Sequence, residues 1–222
     1  MSQLVCYLLV YSDSINIKDI GLNTKGILLR SLIMSENRTH FVLFYSSNSI
    51  YSNFHPAKFI DQDFIMNLPQ SSKFSSQKDY HFLHVEQYMH AYKALIFKDI
   101  STLDQILLSS DPKLIKELGR KVANFDDNVW DANARDIVTR GCCLKFYQNP
   151  KMWQQMKVAG KDRQFVECAP KDKRWGIGLS LKNPKCLDPS QWQGENWLGQ
   201  CLDKTWNYLE EGTIPELLIK FH

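Results

Sequence analysis

In HVEQYMHAYKA, His84 to Ala94, a carboxylate, an imidazole and an amine recur at Glu86, His90 and Lys93. At 3.6 residues per turn, positions i, i+4 and i+7 stack on one edge of a helix, so the three point into a common volume that is either solvent or a site. As an exposed edge they would make only local contacts worth a few tenths of a kcal/mol. As a site they offer acid–base chemistry. Glu86 falls in the first turn beside aromatic and histidine residues, where burial is expected to raise its pKa toward a catalytic range.

Three further places put polar groups where packing alone does not ask for them. Trp130 and Arg135 stand five residues apart, hence about 140° round a helix, so they can flank a pocket mouth without sharing a stripe. There an indole would stack on a base or ring and a guanidinium would clamp a phosphate, whereas Trp130 alone reads as a core anchor. In the loop APKDKRWGIG the glycines allow close approach of backbone to a ligand. Asp172 and Trp175 are therefore candidates for a site wall, against the commoner use of Asp to stabilise a turn. The spacing of a P-loop is absent. Asn53 in YSNFHP and Asn196 in GENWLG either cap the backbone or hydrogen-bond a ligand hydroxyl, and the residues alone favour the cap.

These residues need a fold to position them, and composition bounds it. Of 222 residues 44% are hydrophobic and 23% charged, the balance of a globular chain. The net charge of +3 is spread among interleaved acids and bases, which falls short of the footprint of a dedicated duplex binder but accommodates a small anionic ligand. Six cysteines, at 6, 142, 143, 168, 186 and 201, make no C-x-x-C pair and no Cys/His zinc spacing, so reduced thiols and no metal are expected. The apolar run Leu4–Tyr11 is eight residues long with no basic region ahead of it, too short for a span and poor as a signal peptide. An intracellular protein, cytoplasmic or nuclear and without a membrane partner, is expected.

FVLFY from Phe41 and QFVEC from Gln164 alternate as strands do, and YHFLH is a brief strand candidate ahead of a helix over Val85–Phe97. Further helices are expected at 101–109, where Ser101 and Asp104 resemble a capping box, and from Pro112 to Gly119. Others are expected from Asp126 or Asp127 to Tyr147, from Pro150 to AGKD, and over Asn196–Leu209. PQSSKFSSQKD, at 69–79, reads as a mobile surface loop. The expected class is α+β: a mostly helical single domain with a few short strands over 41–222, preceded by an N-terminal extension at 1–40.

Taken in order, YSNFHPAKF, VEQYMHAYKA, VWDANARDIVTRGCCLKFYQNP, FVECAPKDKRWGIG and GENWLGQCL resemble the motifs of the YbiA-like, or NADAR, family over about Phe41 to Leu209. The resemblance implies an N-glycosidase that works without metal or organic cofactor. It would hydrolyse the C–N bond between ribose, as phosphoribose or ADP-ribose, and a base-like leaving group. Ribosylaminopyrimidine intermediates of riboflavin synthesis and ADP-ribosylated guanine are the implied substrates, with a free nucleotide and ADP-ribosylated DNA both open as the carrier. The family's functional Glu, Trp and Asp fall on Glu86, Trp130 and Asp172, and the Lys of its xKA motif on Lys93. One departure stands in LGQCLDKTW, where Trp206 occupies the place of an Arg common in the family.

Cleavage of an N-glycosidic bond passes through an oxocarbenium-like state, so the site must support positive charge at the anomeric carbon and help the leaving nitrogen accept a proton. Glu86 and Asp172 are expected to share these tasks. Lys93 either neutralises a phosphate or, if desolvated, attacks the opened sugar as an amine; phosphate binding is preferred, because nothing in the sequence makes Lys93 dry. Trp130 would stack on the base, Arg135 and Asn53 would hold phosphate and ribose, and Trp175, Asn196 and His90 complete the expected substrate-binding set. The alternative from another class is a non-catalytic module that binds ADP-ribose or NAD, which would need the aromatic and basic residues but not the paired carboxylates.

Overall fold

The computed structural model describes residues 40–219. The extension expected at 1–40, with its apolar Leu4–Tyr11, lies outside the described residues apart from His40. The chain runs β1 (Phe41–Phe44), α1 (Gln62–Met66), α2 (Val85–Ile96), α3 (Ile100–Leu108), α4 (Pro112–Arg120), α5 (Asp127–Tyr147), α6 (Pro150–Gly160) and β2 (Gln164–Glu167). Two 3₁₀ turns, Pro184–Leu187 and Pro189–Gln191, precede α7 (Trp197–Glu210). This is the mostly helical α+β domain that the sequence implies.

Helix starts follow side chains that take up the free amides of a first turn. His84 Nδ1 accepts from Gln87 N–H at the head of α2, Asp111 from Lys113 N–H at α4, and Asp126 from Asn128 and Val129 N–H at α5. The start of α3 differs from the expected one. Asp99, not Ser101, caps it through Thr102 N–H. Asp104 instead turns inward, accepting from the Ser72 hydroxyl at 2.6 Å and from Lys73 N–H.

That carboxylate also anchors the surface loop at 69–79 from within. Ser72 and Phe74 are buried, because a buried acceptor needs donors and the phenyl ring packs edge-on against Tyr80. YHFLH contributes one antiparallel bridge, Phe82 to Phe59, rather than a strand.

β1 and β2 pair in parallel, Phe41 opposite Gln164 through Phe44 opposite Glu167. Alternation sends Val42, Phe44 and Phe165 into the main core, and Phe41, Leu43 and Val166 into a second apolar cluster with Ile177 and Leu179. α2 is central, touching α3, α4 and α5, while α7 packs on α5 and β2. Where α2 meets α5, Arg140 donates to both oxygens of Asp61 and to Asp63, and the Tyr88 and Tyr92 hydroxyls donate to Asp61 as well. Among the described residues no helix is long and apolar enough to cross a membrane, and the five cysteines are buried and free.

Candidate active site

α2, α4, α7 and the end of β2 with its following loop converge on a cleft of about 160 Å³. Glu86 and His90 enter it from α2, Lys116 and Arg120 from α4, and Glu167, Asp172 and Trp175 from β2 and the loop. Asn53 and Phe54 close the remaining side.

The N-terminal turn of α2 is docked onto the loop that carries Asn53, whose carbonyl accepts from Glu86 N–H at 2.9 Å. That loop is tied down in turn by the buried ammonium of Lys145, which donates to the carbonyls of Ile50 and Ser52. Asn53 Oδ1 is buried with no hydrogen-bond partner among the described residues, so the cleft wall presents a bare acceptor.

His90 Nε2 lies 3.2 Å from Glu86 Oε1. Its Nδ1 has no partner among the described residues and faces Gly119, where an added Cβ would stand 2.0 Å away. The proton is therefore assigned to Nε2, which donates to Glu86. Burial alone would raise the Glu86 carboxyl, but the His90 hydrogen bond, followed by attraction to His90, Lys116 and His84, outweighs it and holds the group below its ordinary value. This reverses the expected direction: with a donor at hand, Glu86 stays ionised.

The carboxyl that rises is Glu167, pushed up to about 8 by burial first and then by the charges of Asp172 and Glu86, against the opposing charge of Lys116. Its backbone is fixed. The N–H donates to Asn196 Oδ1 at 3.0 Å, and the carbonyl accepts from Ile177 and Ala169 N–H. Asn196 adopts φ 55 at the head of α7, and its amide also donates to the Phe165 carbonyl, so it clamps the edge of β2. Gly199 lets the helix lie this close, since a Cβ there would meet the Phe165 carbonyl at 2.0 Å. Asp172 Oδ1 accepts from Arg174 and Trp175 N–H, which tightens the loop into a turn while the residue still lines the cleft.

Comparison with known proteins matches residues 43–210 to the NADAR domain. The chain belongs to the NADAR family. Protein irg-1 of Caenorhabditis elegans is 36% identical over 194 residues, spanning 84% of this chain and 90% of that protein. N-glycosidase R617 of Acanthamoeba polyphaga mimivirus is 35% identical over 164 residues, 74% of this chain and 93% of that one. The NMR structure of the E. coli protein YbiA superposes with a TM-score of 0.56 at 19% identity, covering 78% of this chain and 86% of that chain, which is a likeness of fold.

In this NADAR domain Glu86, His90, Asp172, Trp175 and Asn53 meet in the cleft. Lys93, Trp130, Arg135 and Asn196 are not among the residues lining it. Lys93 turns its ammonium over the rings of Phe125, at 3.8 Å, and Trp130, at 5.5 Å, and burial followed by the charge of Arg174 lowers its pKa against the pull of Asp127. Trp130 is buried, and the exposed Arg135 stacks on Trp197 at 4.8 Å. Asn196, for which both a backbone role and a ligand hydroxyl were open, engages both ends of its amide with β2. Trp206 packs at Gly160, away from the cleft.

Three ionisable residues line the cleft outside the expected set, Glu167, Lys116 and Arg120, beside the apolar Phe54, Met89 and Leu198. The two bases stand at i and i+4 on α4, the same spacing that singled out Glu86 and His90, so that signal was present. Glu167 is one position in a short alternating strand and carries no local mark.

Proposed function

We propose that this NADAR domain is an N-glycosidase, hydrolysing the bond between C1′ of a phosphoribosyl or ADP-ribosyl group and the nitrogen of a base-like leaving group. The observation that carries this reading is the gathering of Glu86, Glu167 and Asp172 around one cleft. No Lys or Arg lies within ion-pair distance of these three carboxyls among the described residues. A module that only binds an anionic nucleotide has no use for such a cluster, which repels phosphate; a developing oxocarbenium ion is stabilised by it. The name of the viral relative, N-glycosidase R617, points the same way.

In this reading Glu86, kept ionised, supports the cation and orients the attacking water, and Asp172 directs a ribose hydroxyl or that water. Asn53 Oδ1 accepts from a ribose hydroxyl, and the rings of Phe54 and Trp175 flank the base. Lys116 and Arg120, entering from α4, take the phosphate role in place of Lys93 and Arg135. A cleft of about 160 Å³ is smaller than the roughly 300 Å³ or more of sites that enclose a whole drug-sized ligand, so a nucleotide held by these residues is not fully enclosed. Lys93, whose ammonium lies over the rings of Phe125 and Trp130 outside the cleft lining, is given no part in this scheme.

The test is base release, followed by chromatography with mass detection, from a phosphoribosylaminopyrimidine and from an ADP-ribosylated guanine oligonucleotide. Wild type is expected to release base from one of them, and Glu86→Gln at least a hundredfold more slowly. If both proteins bind ligand alike and neither releases base, the domain is a binding module.

A further inference from the structure

A departing base nitrogen needs a proton, and an acid that supplies it must reach the glycosidic bond while holding its own proton near neutrality. Glu86 fails the second condition, since its hydrogen bond from His90 keeps it ionised. Asp172 spends Oδ1 on two backbone amides. Glu167 differs from both in its contacts. Its carboxyl lines the same cleft and makes no side-chain hydrogen bond or ion pair among the described residues, while its backbone is fixed on both sides by Asn196, Ile177 and Ala169.

We propose that Glu167 is the catalytic acid of this site, donating its proton to the leaving nitrogen, and that the substrates are therefore N-glycosides whose base cannot depart without that proton. The proposal rests on the glycosidase reading above. In the step, the electron pair of the C1′–N bond passes to nitrogen as nitrogen takes the proton of Glu167. Water adds its oxygen to C1′ and gives a proton to Glu86, and exchange with solvent through the cleft mouth then restores both carboxyls. Whatever group captures C1′, the demand of the nitrogen for a proton is unchanged.

The charges around Glu167 suit the role. Asp172 faces it from the loop and Glu86 from α2, and both discourage its ionisation. Lys116 opposes them from α4. His90 from α2 and Arg120 from α4 line the same cleft. The balance leaves the carboxyl pushed up to about 8, and a pair of carboxyls driven apart in pKa is what divided acid and base duties require.

The experiment measures kcat and kcat/KM against pH for wild type, Glu167→Gln, Glu167→Asp and Glu86→Gln, on a series of phosphoribosylaminopyrimidines with leaving groups of graded basicity. Thermal melts confirm that each variant folds. Glu167→Gln is expected to lose 10²–10⁴-fold in kcat and the alkaline limb of the profile with it. The loss should shrink as the leaving nitrogen becomes less basic, and Glu167→Asp should recover part of it. Unchanged kcat in Glu167→Gln beside a large loss in Glu86→Gln would overturn the acid and leave the glycosidase standing, as would an alkaline limb that persists in Glu167→Gln. No release by wild type from any member of the series or from the ADP-ribosylated oligonucleotide would overturn both.

Discussion

Two carboxylate clusters in this NADAR domain are built from the same residue types and treated in opposite ways. Asp61 has Arg140 across both oxygens, two tyrosine hydroxyls beside it and a helix start to cap. Burial alone would raise it, yet these partners, Arg140 foremost, hold it below the ordinary carboxylate range. Glu167 has no such partner among the described residues and rises to about 8. A guanidinium could have been spent at either place. It is spent where the fold needs an anion, and the cleft is left with carboxyls whose energies are unsettled, the condition under which a proton can move.

The comparison breaks first at its paired end. Arg140→Met is expected to cost about 3–5 kcal/mol in denaturant unfolding, because it strands Asp61 without its cation, while base release per folded molecule stays near wild type. A loss below about 1 kcal/mol would mean that the cluster is not the fold's anchor.

Gly119→Ala tests the seam between packing and site. The new methyl would overlap the His90 ring, so a cost of about 1–3 kcal/mol is expected. Displacing His90 removes the donor to Glu86, and kcat should fall roughly tenfold, the price of one weakened charge-assisted hydrogen bond. A melt and a rate that both match wild type would contradict the assigned contact.

The third effect is a pH dependence of opposite sign in the two clusters. Asp61 binds its proton less tightly when folded, so its contribution is present above the unfolded value near ~3.9 and is lost as pH falls through the folded value. Glu167 binds its proton more tightly when folded. Stability is therefore highest below the unfolded value near ~4.3 and declines as pH climbs toward about 8. Relative to wild type, Glu167→Gln should gain stability in melts between pH 5 and pH 9, by an amount that grows with the folded pKa of Glu167; a constant offset would show that Glu167 titrates normally.

Most of the fold was legible because its helices announce themselves locally. Asp111 before Pro112, Asp126 at the head of Asp127–Tyr147 and Pro150 after Asn149 are start signals that depend on nothing distant. Asp104 was misread because Ser72 and Lys73, the donors that draw it inward, come from another loop. The site divides in the same way. Helical spacing brought Glu86 and His90 together, since four residues on a helix fix their own distance. It could not foresee that Phe125 and Trp130 would gather Lys93 into an aromatic recess, or that burial beside Asp172 and Glu86 would single out Glu167.

The parallel pairing of β1 with β2 sets a clock on the making of this site. Phe44 waits for Glu167 across more than a hundred residues, which at ribosomal speeds of about 5–20 residues per second is on the order of 10 s of synthesis. Until then Glu86 has no acid facing it, and the edge of β1 lacks its partner. A chain broken off between α2 and β2 would carry the whole of α2 and an unfinished cleft.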